Sequence, residues 1–168
     1  VYDNHTNVNI TTCTLNGAPI KVYNCQKVDE ETNEVVFGDL MYADKTYYVA
    51  NAAGLVELSG KAIKAGESVK LLADINLEGV EFNGLSAFNP ENNNTFDGQN
   101  FTVSNWTNNN GASDMGFIKN WVGPIKNVKF ENCHLKTNGR SAIGAASTYT
   151  NIDNISINDW SIEDSNWA

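Results

Sequence analysis

Three acidic residues, Glu78, Glu131 and Asp159, are the side chains of this 168-residue chain that best fit catalytic chemistry. Two carboxylates can cleave a glycosidic bond, one as the acid and the other as nucleophile or base, at separations of about 5 to 9.5 Å. In the repeat described below, Glu131 with Asp159 would approach the short separation of a retaining enzyme. Glu78 with Glu131 would lie near the long, inverting separation, and His134 follows Glu131 by three residues.

The neighbours of these acids argue against catalysis. The repeat would align the acids in two outward columns. The first column is Glu78, Ser104, Glu131 and Asn158, and the second is Gly79, Asn105, Asn132 and Asp159. Neither column holds the three acids of a calcium-assisted lyase, or an Arg or Lys that could act as a base. We therefore predict solvated outward positions and no enzyme activity, with a carbohydrate-active site as the alternative.

Aromatic residues outside the apolar core pattern are the better candidates for ligand binding. Phe88, Trp121, Tyr149 and Trp167 fall between the apparent strands, and aromatic faces stack on sugar rings or on protein partners. The Asn-rich segments 92–94 and 108–110 would add amide hydrogen bonds. The alternative is that these aromatics seal the edges of the core or contact another subunit.

Metal and cofactor chemistry finds no support in the residue pattern. His5 and His134 are not spaced with cysteines as zinc ligands are. Cys13 and Cys25 bracket a hairpin-like stretch, so they form either a disulfide or two reduced, buried thiols. Cys133 falls on a core position and is expected to be a small buried hydrophobe. We predict no metal and no cofactor.

Composition favours a β-rich, acidic surface. Asn contributes 26 residues, charged residues only 18%, and the net charge is -9. Such a chain lacks the clustered Lys and Arg that nucleic acid requires, and it has no apolar run of membrane-spanning length. The chain opens on Val1 without an initiator methionine, so we expect processing or a longer parent protein.

The elements that would position these residues fall into two regions. Residues 1–45 show short alternating stretches at 8–12, 20–24 and 35–37, which predict a small N-terminal β region or attachment segment. Residues 46–168 follow as a second domain. Asn51 is a good N-cap, and apolar residues then recur at helical spacing, so we expect a capping helix over 51–64.

A repeat of 26 to 27 residues dominates the second region. Its segments begin at Asp74, Asn100, Asn127 and Asn154, and the second, fourth and seventh residues of each are apolar. Alternation puts Ile75/Leu77, Phe101/Val103, Val128/Phe130 and Ile155/Ile157 on one face. Val80, Trp106, Cys133 and Trp160 would join them after a bend. The four leading residues are expected to stack as a structural ladder.

Stacked turns of this kind predict an all-β fold, a right-handed parallel β-helix of about four coils with a short capping helix and a small N-terminal β region. One turn cannot bury its own apolar face, whereas successive turns cover one another. Gly116-Phe117-Ile118 and Ala142-Ile143-Gly144 are expected to form the second long strand of successive coils, and Gly84-Leu85 an earlier instance.

The residues also resemble a known family. Val69–Leu77, Thr95–Asn105, Met115–Ile118 and Pro124–Asn132 are similar to the repeats of GLUG-type surface proteins of Bacteroidetes and their phages. In that pattern Asp97 is a turn former. The resemblance covers about residues 46 to 164. It implies a pectate-lyase-like right-handed β-helix, an extracellular location on a cell surface or virion, and a loose association with adhesion.

Three functions remain open at this point. The leading hypothesis is a non-catalytic extracellular or virion-surface module, an adhesin, fibre or decoration protein that attaches to glycans or to a protein partner. The second is a polysaccharide-degrading lyase, glycoside hydrolase or tailspike-type depolymerase, or a fragment of one. The third is a structural spacer within a homo-oligomer. We expect no nucleic-acid partner and no membrane insertion.

Overall fold

The structure, a computed structural model, describes residues 38–87, 94–109, 115–121, 123–139, 141–148 and 151–164, together with short strands at 14–15, 18–19 and 21–23. The predictions that concern residues 8–12 and 35–37 and the pair Cys13 and Cys25 fall outside this part of the chain. The strands are β1 (Thr14–Leu15), β2 (Ala18–Pro19), β3 (Lys21–Tyr23), β4 (Leu40–Ala43), β5 (Thr46–Val49), β6 (Ser68–Leu71), β7 (Ile75–Asn76), β8 (Leu85–Ala87), β9 (Thr95–Asp97), β10 (Thr102–Ser104), β11 (Thr107–Asn108), β12 (Met115–Trp121), β13 (Ile125–Thr137), β14 (Ser141–Thr148) and β15 (Ile152–Asp164).

The helix α1 spans Ala52–Ser59, so it begins where the sequence predicts but ends well before residue 64. Asn51 caps it, since the Asn51 side chain accepts a hydrogen bond from the Gly54 backbone N–H at 3.1 Å. Leu55 and Leu58 are fully buried against β4, β5 and β8. The chain leaves the helix at Gly60, whose N–H bonds back to the last turn.

Three sheets organise the described strands. β1 and β2 form a small antiparallel hairpin. Ten strands join in the principal sheet, in the order β3-β4-β5-β6-β9-β13-β10-β7, with β11 and β15 also paired to β13. The third sheet has the order β14-β12-β8 and is parallel.

The predicted right-handed parallel β-helix is wrong, because the principal sheet is mixed. β3, β4 and β5 pair antiparallel, and only from β5 onward is the pairing parallel. The antiparallel entry depends on a tight turn at Asp44 and Lys45, which both have positive φ (46° and 56°) and so match the turn that joins hairpin strands. The 27-residue periodicity begins only at residue 74 and therefore could not reveal this hairpin.

The parallel part of the sheet stacks segments at steps of about one repeat. Val103 lies beside Phe130 and Phe130 beside Ile157, as the sequence predicts. The first segment departs from prediction. Ile75 pairs with Val103 rather than with Phe101, a shift of two residues. β7 is only two residues long, and the chain then turns at Gly79, which has a φ of 69°.

One apolar core fills the space between the principal sheet and the β14-β12-β8 sheet. Phe117 of β12 is fully buried at its centre, with ring centroids of Phe130, Phe82 and Phe96 at 5.1, 5.4 and 5.6 Å. Edge-to-face and tilted contacts of this kind add to the stabilisation from burial itself. Gly116 of β12 pairs with Ala142 of β14. The sequence predicts strands at both places, as equivalent parts of successive repeats.

Candidate functional site

Glu131 lies on the solvent side of β13, and its cross-strand neighbours are uncharged. Its partners in the register are Ser104 of β10 and Asn158 of β15. Asp159 follows Asn158, with a backbone φ of 48°. Glu131 and Asp159 therefore lie on neighbouring strands without facing each other directly.

Glu78 does not join them. It follows β7, and its backbone N–H donates to the Asn76 side chain at 3.0 Å. The two-residue shift of the first segment places Asn76, not Glu78, beside Ser104. Among the described residues, the structure therefore does not gather the three nominated acids into one site.

The row that does form on this surface is made of carboxamides, which we call the outer amide row (Asn76, Asn105 and Asn132). Asn105 donates to Asn76 at 2.9 Å, and Asn132 donates to Asn105 at 2.6 Å. His134 extends it, with ring nitrogens 2.8 Å from Asn132 Oδ1 and 2.8 Å from Ser161 Oγ. Since these ring contacts are to neutral groups, the row lacks the carboxylate that would orient a histidine base.

The predicted ladder comes together in part. Asn154 donates to the side-chain oxygens of Asn127 (2.9 Å) and Asn100 (3.1 Å). Asp74 lies apart from them and accepts from the Thr102 backbone N–H at 2.7 Å. The three asparagines have φ between 50° and 65°, a conformation that Asn tolerates better than most residues.

Asp97, for which the sequence predicts only a role in a turn, also connects β9 to β13. Its carboxylate accepts from Gln99 N–H (3.0 Å) and Asn127 Nδ2 (3.1 Å) and lies 3.5 Å from Lys126 Nζ. Burial works to raise the pKa of Asp97, but these hydrogen bonds and the Lys126 charge outweigh it and hold the pKa below its usual value. Asp97 is therefore a stable carboxylate that joins two strands.

Cys133 is the buried residue that the sequence predicts. It has no exposed surface, and burial raises the pKa of its thiol despite backbone contacts at Trp106 and Glu131. No group of three or more His, Cys, Asp or Glu side chains that could hold a metal ion occurs in the described ranges. Within those same ranges, no helix has the length and apolar character needed to cross a membrane.

Of the four aromatic residues nominated for ligand binding, the described structure includes only Trp121. Trp121 ends β12, where its backbone lies between Ala87 and Thr148. Phe88, Tyr149 and Trp167 fall outside the described residues.

A shallow groove of about 370 Å³ lies between the loop after β7 and strand β11. Polar groups from Glu81, Asn83, Thr107 and Asn109 line it, together with Leu77, Val80 and the buried Phe82. Asn108, another lining residue, donates to the Phe82 carbonyl and to the Asn83 side-chain oxygen. The groove can hold a small polar molecule, but Phe82 presents no open ring face to it.

Exposed apolar surface concentrates instead on β15. Ile152 is 51% exposed, Ile157 38% and Trp160 55%, and Ile155 and Ile162 of the same strand are half-buried. We call these five residues the β15 open face. Their partners on β13 are all buried, because β15 covers them: Ile125, Val128, Phe130, Cys133 and Leu135. Over the part of the chain that the structure describes, β15 pairs only with β13, so its other edge is open.

The chain matches no known protein family, no characterised protein and no solved structure.

Proposed function

We propose that this chain is a non-catalytic attachment module that binds a protein partner through the β15 open face. The observation that carries the proposal is the concentration of exposed Ile and Trp side chains on one strand, whose second edge pairs with no other strand of the described residues. A contiguous exposed apolar patch on a soluble domain is typical of an interaction site. An open strand edge adds unpaired backbone groups that a partner can use.

The distribution of acids supports the non-catalytic part of the proposal. Glu131 on β13 has neutral register partners, and Asp159 lies one residue further along β15 than the partner of Glu131. Glu78 lies in the loop after β7. The resemblance of the sequence to GLUG-type repeats favours an extracellular setting, on a cell surface or a virion, and attachment as the biological role.

The binding half of the proposal is tested with an array of synthetic 13-residue peptides that vary systematically in apolar spacing and charge. We expect wild-type protein to bind a subset of them and Trp160→Ser to lose that binding. Val56→Ser is the matched control, because Val56 is also exposed (37%) but lies on α1. If no peptide binds, or if both variants behave alike, the proposal is wrong.

The non-catalytic half is tested by incubating the protein with pectin, alginate, xylan and chitin. We expect no release of reducing ends and no unsaturated uronate absorbance. Product formation that Glu131→Gln abolishes and Asn158→Ala leaves intact would establish a carbohydrate-active enzyme instead.

A second candidate function, binding of a small sugar, is favoured by one observation, the polar lining of the groove beside β11. Its volume falls within the range of small-ligand pockets. Calorimetric titration with mono- and disaccharides tests it. Binding that Asn109→Ala removes and Trp160→Ser preserves would place a sugar site there.

A further inference from the structure

The two longest strands, β13 and β15, have the same pattern. Each has 13 residues, and their apolar residues stand at the first, fourth, sixth, ninth and eleventh positions. Their bends also coincide, since the third residues Asn127 and Asn154 have φ of 55° and 50°, and the eighth residues Asn132 and Asp159 have 53° and 48°. β15 therefore repeats the shape of β13, and its second edge, which no strand of the described ranges occupies, can accept a further strand of that shape.

The charges on the two strands differ in sign. β13 carries Lys126, Lys129 and Lys136, and two of these lie opposite Asp153 and Glu163 of β15. Lys136 Nζ is 3.4 Å from Glu163 Oε2. Residues 151–164 contain four acids, Asp153, Asp159, Glu163 and Asp164, and neither Lys nor Arg.

A second copy of this chain is a poor occupant of the face for two reasons. A two-fold pair of β15 strands must run antiparallel, and reversal moves the bends from the third and eighth positions to the eleventh and sixth. The same pairing brings together two strands that bear acids alone, which is destabilising in directly opposed positions.

This inference rests on the proposed function. We infer that the partner is a basic, extended segment of another protein that adds to β15 as a parallel strand. Its apolar residues follow the β13 spacing, and Lys or Arg stand at its second and twelfth positions, opposite Asp153 and Glu163. Backbone hydrogen bonds give such a contact its affinity, side-chain spacing sets its register, and the charges select among partners.

The sequence of β13 itself supplies the probe. A fluorescein-labelled peptide with the sequence of Ile125–Thr137, carrying Cys133→Ala, is titrated with the full chain and followed by anisotropy. The matched peptide replaces its three lysines with glutamate. We expect the basic peptide to bind about tenfold more tightly than the acidic one, with the difference shrinking at high salt. Trp160→Ser should weaken binding about tenfold or more, and Val56→Ser should leave it unchanged.

The outcomes separate this inference from the function on which it rests. If both peptides bind equally well and Trp160→Ser still abolishes binding, the inference of a basic partner is wrong, but the proposed attachment through the β15 open face stands. If the array peptides bind in a Trp160-dependent way but the β13 peptide does not bind, only the inference that the partner has the apolar spacing of β13 is wrong. Sedimentation that shows a dimer of the wild type and a monomer of Trp160→Ser would assign the face to a second copy. Loss of array binding altogether removes both proposals.

Discussion

Asp97 shows how one side chain connects two strands of this sheet. Its carboxylate binds the backbone of its own turn and the Asn127 side chain one repeat later, with Lys126 nearby. The Asp97 side chain is only 10% exposed, so these contacts are shielded from solvent. Each hydrogen bond to a charged group in such a setting contributes about 1.5–3 kcal/mol to the free energy of unfolding.

The lowered pKa of Asp97 predicts a specific pH dependence of stability. Because the folded pKa lies below the unfolded value near 3.8, the charge stabilises the fold at neutral pH, and this contribution is lost as the pH falls below about 4. Asp97→Asn should lower the free energy of unfolding by about 1–2 kcal/mol at pH 7 and have little effect near pH 2. Urea denaturation at both pH values measures this.

The control for that experiment is Asp153→Asn, an exposed aspartate on β15. It should change stability by less than about 0.5 kcal/mol at either pH. An Asp97→Asn effect of equal size at pH 7 and pH 2 would mean that shape, and not charge, stabilises this turn.

At the scale of elements, α1 depends on a close approach to the chain before β4. Gly54 lies in the helix interior, where a glycine normally weakens the helix. Here a Cβ at position 54 would overlap the Asp39 carbonyl group. The Asn51 cap also bonds the Asp39 side chain, so the helix start and residue 39 are held together.

Two glycine substitutions test this contact. Gly54→Ala should destabilise the protein by about 2 kcal/mol or more, because an overlap with backbone cannot be relieved by moving a side chain. Gly60→Ala, where the nearest atom would be 3.6 Å from the new Cβ, should be neutral or slightly stabilising. Thermal unfolding of the two variants provides the comparison, and a stable Gly54→Ala protein would contradict the contact.

How far the elements could be predicted varies along the chain. Asn51 as a cap, the strands around Gly116 and Ala142, and the register of Val103, Phe130 and Ile157 follow from local propensity and a repeated pattern. The turn at Asp44 and Lys45 lacks the glycine that usually marks a hairpin, and the repeat pattern at Asp74 matches that of the later segments, so neither the hairpin nor the β7 register carried a clear sequence signal.

At the scale of the whole molecule, burial falls off toward β15. The core residues of β13 are covered from both sides, whereas among the strands that the structure describes β15 pairs with β13 alone. Segments with few buried contacts and exposed backbone groups open more easily than the core.

This gradient predicts the pattern of amide hydrogen exchange. Residues 151–164 should exchange at least about tenfold faster than residues 125–137, because opening β15 exposes less apolar surface than opening β13. Exchange measured by mass spectrometry tests this, and saturating β13 peptide should slow exchange in 151–164. Equal protection of both segments in the free protein would mean that β15 is already covered.

The exposure of the β15 open face could not be predicted from the local sequence. The sequence predicts the same inward role for three residues of each strand, which are Val128, Phe130 and Cys133 of β13 and Ile155, Ile157 and Trp160 of β15. The structure buries the first set, but it leaves Ile157 38% and Trp160 55% exposed, so the prediction is wrong for these two residues. Burial depends on whether another strand lies above, which no residue of β15 encodes.

The sequence by itself determined the repeat and the inward residues of its middle segments, such as Val103, Val128 and Phe130, since these follow from side-chain alternation. Tertiary structure alone decided the mixed sheet, the separation of Glu78 from Glu131, and the exposure of β15. These depend on which strands become neighbours. Strand pairing joins residues about one repeat apart, and neither alternation nor local preference specifies which edge remains open.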